Sequence, residues 1–110
     1  MPTFIVQACY TREGVKGLMS GAKGRRKAIG ALIEAAGGTL KDMYMTTGSH
    51  DVLAIAEMPD GADSMAVNMA IAASGVADSF QTMRAWSPEE FEGVAEKAAK
   101  IAASYKAPGS

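Results

Sequence analysis

The sequence predicts an α+β domain in which strands and helices follow one another as β-α-β-β-α-β, with a further helix at the C-terminal end. Two patterns carry this prediction. Short apolar segments rich in β-branched and aromatic residues are bounded by turn residues, as strands are. Between them, apolar residues recur at the 3.6-residue spacing of a helix. The chain has 110 residues, 48% of them apolar, so it can bury the core of one domain.

The four strands are predicted at residues 3–10, 39–47, 50–58 and 78–86. The first helical region runs from about residue 13 to residue 36, with a break near residues 20–24, where glycines accumulate. The second occupies residues 62–74. Met65, Met69 and Ala72 in it and Val76 just after it fall at helical spacing, and the region is apolar on more than one side. Such a helix is expected to be covered twice.

This order of elements is the split βαβ, or ferredoxin-like, motif, whose first and third strands lie at the centre of one antiparallel sheet. The apolar runs FIV and VLAIA belong to the first and third predicted strands. The second and fourth strands carry polar residues, namely Lys41, Asp42, Gln81 and Arg84. Because central strands are buried on both faces and edge strands are not, the composition supports this topology.

A third helix is predicted to start at Ser87, since Ser87-Pro88-Glu89-Glu90 combines a capping serine, proline at the first helical position and a glutamate three residues after the cap. Its apolar residues form one stripe: Phe91, Val94, Ala95, Ala98, Ile101, Ala102 and Tyr105. That stripe should pack on another surface. The last residues, KAPGS, resemble a frayed tail.

The predicted sheet has both helical regions on one face, so its other face needs a cover. Alternation along the first strand assigns this open face either the set Phe4, Val6, Ala8 and Tyr10 or the set Thr3, Ile5, Gln7 and Cys9. The sequence does not choose between them. Stacking two such sheets face to face would cover both and enclose a small-molecule pocket.

Charge and cysteine content exclude several classes of function. The net charge of −1 does not favour nucleic acid, and the basic cluster Lys23, Arg25, Arg26 and Lys27 is interpreted as a solvated helix face. The single cysteine, Cys9, excludes a disulfide framework and a multi-cysteine metal site, and it fits a reducing cytoplasm. No signal peptide or transmembrane segment is visible, so a cytoplasmic protein without membrane partners is expected.

Several segments in order resemble the GYD domain family: MPTFIVQACYTREGV, AAGGTLKDMYMTTGSHDV, AEMPD and QTMRAWSPEEF. In the Gly-x-Tyr-Asp corner that names the family, Gly48 and Asp51 hold the expected positions, whereas His50 replaces the usual tyrosine. The resemblance covers residues 1–91 and leaves residues 92–110 as a C-terminal helical extension and tail. It implies a dimeric α/β barrel of ferredoxin-like subunits, as a homodimer or a larger ring. It implies little about chemistry, since similar folds include haem enzymes, cofactor-free monooxygenases, isomerases and amino-acid-sensing domains.

His50 and Asp51 are the candidate catalytic residues. The functional interpretation makes His50 a proton acceptor, a haem ligand or a donor to an anion, because its ordinary pKa lies near neutrality. The structural interpretation makes it a hairpin residue bonded to nearby backbone or facing water. Successive strand residues point to opposite faces, so the two side chains are not expected to form a dyad within one chain. Asp51 opens an apolar strand and therefore needs a partner.

The candidate ligand-binding residues are Tyr10, Tyr44, His50 and Arg84. Arg84 shares a strand face with Phe80 and Trp86 and could hold a carboxylate in a bidentate manner, or it could reach from an edge strand into water. The two tyrosines could line a pocket with hydroxyl groups or serve as amphipathic strand residues. Met43, Met45 and Met83 are expected to pack rather than bind metal. No metal and no cofactor are predicted, and haem is the one alternative.

Two functions follow from these patterns. In the first, the protein is a non-enzymatic binding or assembly module, a homo-oligomer with a pocket between stacked sheets. In the second, it is a small dimeric-barrel enzyme, either cofactor-free or haem-dependent, with His50 or Asp51 as the acid–base group and Arg84 as an anion clamp. The absence of a convergent polar set in the sequence favours the first.

Overall fold

A computed structural model describes residues 1–109 and confirms the predicted order of elements. The strands are β1 (Thr3–Tyr10), β2 (Thr39–Met45), β3 (Val52–Glu57) and β4 (Ala77–Ala85). The helices are α1 (Arg12–Ser20), α2 (Arg25–Ala35), α3 (Gly61–Ala73) and α4 (Pro88–Ala102). The first helical region is divided into α1 and α2 by residues 21–24, where the glycines predicted a break.

The four strands form one antiparallel sheet in the order β2-β3-β1-β4, so the two apolar strands are central and the two polar ones are edges, as predicted. Two bulges interrupt the ladders, one on β4 between Asp78 and Gln81, opposite Gln7–Cys9 of β1, and one on β2 between Leu40 and Asp42. Each bulge re-aims the end of its strand, because an extra residue breaks the alternation of side chains between the two faces.

Helices α2 and α3 cover the face of β1 that carries Phe4, Val6, Ala8 and Tyr10, which resolves the choice that alternation left open. Phe4 and Ala8 are buried, and Phe4 belongs to a core with Ile33, Ala56, Met58 and Val67. Within residues 1–109, no helix lies over the opposite face of the sheet, which carries Thr3, Ile5, Gln7 and Cys9. The fold is therefore a two-layer α+β structure with one open sheet face.

Thr11 joins the end of β1 to the start of α1 and fastens both to the loop before β4. Its hydroxyl caps α1 by accepting from the backbone N–H of Gly14 (3.1 Å) and donates to the carbonyl of Gly75 (2.6 Å). Its backbone N–H donates to the carbonyl of Val76 (3.0 Å). Gly14 is required there, since a Cβ at that position would collide with the Val76 carbonyl.

Helix α3 begins at the cap Asp60 and turns Ser64, Val67 and Asn68 inward. The Asn68 amide donates to the hydroxyl of Thr82 on β4 (2.8 Å), which gives a polar group at the rim of the core its partner. Met65 and Met69, on the outer side, remain 59% and 64% exposed. Within the chain only the inner side of α3 is thus covered. That a second surface covers its exposed methionines stays a prediction.

Helix α4 starts with the predicted capping box: the Ser87 hydroxyl accepts from the Glu90 N–H, and the Glu90 carboxylate accepts from the Ser87 N–H. No α4 side chain is buried in the part of the chain that the structure describes. Its stripe lies open, with Phe91 49% and Ile101 70% exposed, and the helix ends at Ala102, so Tyr105, predicted as part of the stripe, lies beyond it. Among residues 1–109, none of the helices combines the length and apolar character needed to cross a membrane.

Candidate functional site

The corner between β2 and β3 is built by backbone geometry. Gly48 has φ +100°, a left-handed conformation that favours glycine. The corner is closed by two hydrogen bonds from Thr46, whose backbone N–H donates to the Asp51 carbonyl (2.8 Å) and whose hydroxyl donates to the His50 carbonyl (2.9 Å). It is docked on β1, since Cys9 Sγ donates to the Ser49 carbonyl (3.3 Å).

Asp51 serves the end of β1. Its backbone N–H donates to the Ala8 carbonyl (2.9 Å), and its Oδ2 accepts from the backbone N–H of Tyr10 (2.9 Å). Because β3 begins only at Val52, the carboxylate takes the place of a backbone acceptor that the sheet does not supply. The need for a partner at Asp51, inferred from the sequence, is therefore met by a backbone group.

His50 is half-buried and shares a hydrogen bond of 3.2 Å between its Nδ1 and the hydroxyl of Ser49. Its carbonyl accepts from Thr46, and its neighbour Asp51 is bonded to Tyr10. The two side chains of the His50–Asp51 pair therefore engage different partners, in agreement with the divergence expected from the strand geometry.

Arg84 lies on the helix-covered side of β4, opposite Phe4 in the ladder. Its guanidinium lies 4.5 Å from the ring centroid of Trp86 and 5.9 Å from that of Phe4, both within cation–π range. It also donates to the carbonyls of Thr3 (3.3 Å) and Ala85. These contacts hold Arg84 at the end of the sheet where the chain leaves for α4.

The two candidate tyrosines lie on opposite sides of the sheet. Tyr10 faces the helices and donates its hydroxyl to the sulfur of Met45 (3.6 Å). Tyr44 lies on the open face and is 54% exposed. The structure therefore brings Tyr10 and Asp51 together at one corner, while Tyr44 belongs to a different surface.

Two rows of cross-strand neighbours describe the open face. The first row runs from Met83 through Ile5 to Ile55 across three strands. The second row consists of Gln81, Gln7, Leu53 and Tyr44. Directly opposed side chains on one face of a sheet lie close enough to touch. The first row is thus apolar on β4, β1 and β3 and ends at Asp42 on β2, and the other places two amides beside an apolar residue and a phenol.

A cavity of about 60 Å³ lies on the other side of the sheet, between its inner face and helices α2 and α3. Its walls are apolar except at one end, where Arg25 and the Tyr10 hydroxyl lie. A second cavity of about 40 Å³ adjoins it deeper in the core, and the two share four wall residues: Val6, Ile29, Ala54 and Ile71. The interior of this small domain is therefore incompletely filled.

Burial raises the pKa of the Tyr10 phenol, the nearby Arg25 guanidinium opposes that shift, and the Asp51 carboxylate adds to it. The net direction is upward, so the hydroxyl stays protonated at neutral pH and remains a donor. Across the described residues, no three His, Cys, Asp or Glu side chains are grouped closely enough to hold a metal ion.

A family model described as the GYD domain matches residues 4–95, most of the chain. The chain belongs to the GYD domain family. The match confirms the resemblance noted in the sequence, and it includes the corner at residues 48–51. No curated protein sequence matches this GYD domain.

Two solved structures resemble the GYD domain in fold. The crystal structure of FFRP-DM1 is 17% identical, with a TM-score of 0.49 over 78% of this chain and 100% of its own. That of TTHA0845 from Thermus thermophilus is 19% identical, with a TM-score of 0.51 over 79% of this chain and 95% of its own. At this identity the second likeness supports the ferredoxin-like fold alone.

In this GYD domain Arg25 is the residue whose position sequence reasoning missed. Lys23, Arg26 and Lys27 are exposed, as a solvated helix face should be, but Arg25 is half-buried and borders the cavity. The signal was present in the spacing: Arg25 precedes Ile29 by four residues and therefore lies on the same side of α2. A charged residue at the start of an apolar helix stripe indicates that its side chain borders the end of the core instead of extending into solvent.

Proposed function

We propose that this GYD domain is a homo-oligomeric small-molecule-binding module, in which two copies stack their open sheet faces. The observation that carries the proposal is the apolar row of Met83, Ile5 and Ile55 across the uncovered side of the sheet. Met83 is 37% exposed and the two isoleucines are only partly covered within one chain. A second sheet on this face would remove the row from water, and apolar burial is the main force in association.

The second row supports a binding role for the space between the sheets. Gln7, Gln81 and Tyr44 would bring amide and hydroxyl groups from both copies next to the apolar row. Pockets that bind small molecules have this character, with mostly apolar walls and a few placed polar groups. The module would therefore hold a small polar ligand between its two copies.

Helix α4 supports assembly independently of the sheet. It presents an apolar stripe with Phe91 49% and Ile101 70% exposed, and α3 presents the exposed Met65 and Met69. One-sided helices gain most of their stability from packing that side. We propose that the α4 stripe packs against the second copy, where it would add to the area buried by the sheets.

Two members of the alternative enzyme site, Asp51 and Arg84, favour binding rather than turnover. Asp51 and Arg84 are held by backbone groups, and Arg84 is held further by two aromatic rings. General acid–base groups need free access to a substrate atom. Side chains that already form hydrogen bonds with backbone groups at strand ends are suited to maintaining the fold.

Native mass spectrometry of freshly purified protein, with its absorbance spectrum, tests the proposal by reporting subunit number and any retained ligand. We expect a dimer or a larger ring, and the Ile5→Lys variant should shift it to monomer because two charges would meet in the apolar layer. Met19→Lys is the matched control, since Met19 is 83% exposed on α1, away from this face. A wild-type monomer at micromolar concentration would contradict the assembly.

A further inference from the structure

We propose that the cavity between the sheet and helices α2 and α3 binds a small monocarboxylate with an apolar body, its carboxylate held by Arg25 and Tyr10. The site lies within one chain and is separate from the space between stacked sheets. It therefore does not depend on the assembly proposed above. Three features carry it: the unfilled apolar space, the lone charge at one end of it, and the hydroxyl donor beside that charge.

The cavity exists because small side chains line the inner face of the sheet. Ala8, Ala54 and Ala77 are wall residues at positions where a larger apolar side chain would fill the space. Protein interiors normally pack as densely as organic crystals, and voids cost stability. An interior that leaves about 60 Å³ open, with about 40 Å³ adjoining, is suited to a ligand with a short chain or a single ring.

Arg25 supplies the charge recognition. It is the only charged side chain in the cavity wall, and no carboxylate of residues 1–109 forms an ion pair with it. Its neighbour Arg26, by contrast, pairs with Asp42 at 3.6 Å. A half-buried guanidinium without a carboxylate retains its capacity for a bidentate bond to a planar anion.

Tyr10 supplies the second donor. Its hydroxyl is directed to the sulfur of Met45, a weak acceptor, so a carboxylate oxygen would be the stronger partner. The phenol remains protonated at neutral pH and can donate to such an anion. At the deeper end, the Asn68 amide is already bonded to Thr82. The two ends of the space therefore differ, and an amphiphilic ligand would enter with its apolar part first.

Titration calorimetry with sodium hexanoate and with hexan-1-ol tests the site on the full chain. We expect saturable binding of hexanoate at one site per chain and binding of the alcohol weaker by about tenfold, since the alcohol lacks the charge that Arg25 recognises. The Arg25→Gln variant should lose this preference, whereas Arg26→Gln should keep it. Equal binding of acid and alcohol, or equal effects of the two variants, would overturn the assignment.

A cavity-filling variant gives a readout independent of charge. Ala54→Val places two methyl groups in the wall that both cavities share, on a central strand where valine is favoured. We expect hexanoate binding to be lost while the unfolding temperature stays equal or rises. Hexanoate binding of wild-type strength in a folded Ala54→Val protein would show that the ligand lies elsewhere. Native mass spectra of the same samples report the assembly separately.

Discussion

Gly48 and Asp51, two of the residues that define the family's corner, have structural duties in this chain. Gly48 adopts a backbone conformation in which a side chain is strained, and Asp51 supplies an acceptor to the N–H of Tyr10. The residue between them that departs from the family pattern, His50, contributes its carbonyl to the corner, and any residue type provides a carbonyl. The corner thus tolerates imidazole in place of a phenol without losing the bonds that close it.

The Gly48→Ala variant should lower the free energy of unfolding by about 1–2 kcal/mol, because a Cβ is strained at positive φ. Gly17→Ala is the matched control. Gly17 lies inside α1 with open space around it, and there alanine should raise stability by about 0.5–1 kcal/mol. Urea unfolding of the three proteins measures both changes. If both variants changed the free energy of unfolding in the same direction, the backbone conformation at the corner would not be the reason for glycine at position 48.

The sequence predicted that single polar residues need a partner, but it did not predict which group each partner is. Asp51 was expected to require a partner, but its acceptor role toward Tyr10 depends on where β3 begins relative to the end of β1, a tertiary detail. Arg25 was missed for a similar reason. Its neighbours in sequence are basic and exposed, and only the packing of α2 on the sheet sets it apart from them.

At the scale of elements, periodicity predicted the strands and helices to within about two residues, because alternation and helical spacing are local properties. The exception is α4, whose stripe was extended to Tyr105 although the helix ends at Ala102. The covered face of the sheet was not predictable, since both alternating sets of β1 contain apolar residues. Helix α3 shows the same limit. Its Met65 and Met69 follow helical spacing, yet the sheet buries Ser64 and Val67 instead, because their side of the helix permits close approach.

The capping box of α4 makes this helix sensitive to pH. Hydrogen bonds from the backbone and side chain of Ser87 stabilise the ionised carboxylate and lower the pKa of Glu90 below its ordinary value of 4.5. The stabilisation is therefore complete above that ordinary value and is lost as the pH falls through the lower pKa of the folded state. Since α4 packs little within its own chain, the loss should appear as local fraying.

Far-UV circular dichroism from neutral to acidic pH tests this expectation. Helix content should fall at acidic pH in the wild type, and the Glu90→Gln variant should show a smaller fall, because an uncharged amide caps Ser87 at every pH. All other residues of α4 are the same in both proteins, so the difference between the curves isolates Glu90. If the helix content of the two proteins fell equally with pH, the capping box would not determine the stability of the start of α4.

The molecule is elongated because one helix, α4, extends away from the rest of the domain. The chain measures 62 × 30 × 22 Å with a radius of gyration of 17.7 Å, whereas a compact domain of this length would have about 13 Å. The excess comes from α4, which continues from the edge strand β4 and is anchored mainly at its start by the edge-to-face contact of Trp86 with Phe91, 6.2 Å between ring centroids. Such an extension is more stable in an assembly than in a monomer, because a second copy can cover its apolar side.

Substituting the end of the α4 stripe tests this placement directly. The Ile101→Asp variant should weaken self-association by about tenfold or more, because a charge would replace an apolar side chain at the proposed contact. Lys100→Asp is the matched control, since it puts the same residue into the same last turn but off the stripe. Both carboxylates oppose the helix dipole, and Lys100→Asp also removes the basic residue of the last turn, so fraying of α4 in the control is at least as large as in Ile101→Asp. Sedimentation velocity over a range of concentrations measures the dissociation constants. A larger effect from Lys100→Asp than from Ile101→Asp would place the contact on another side of the helix, and no effect from either would leave α4 outside the interface.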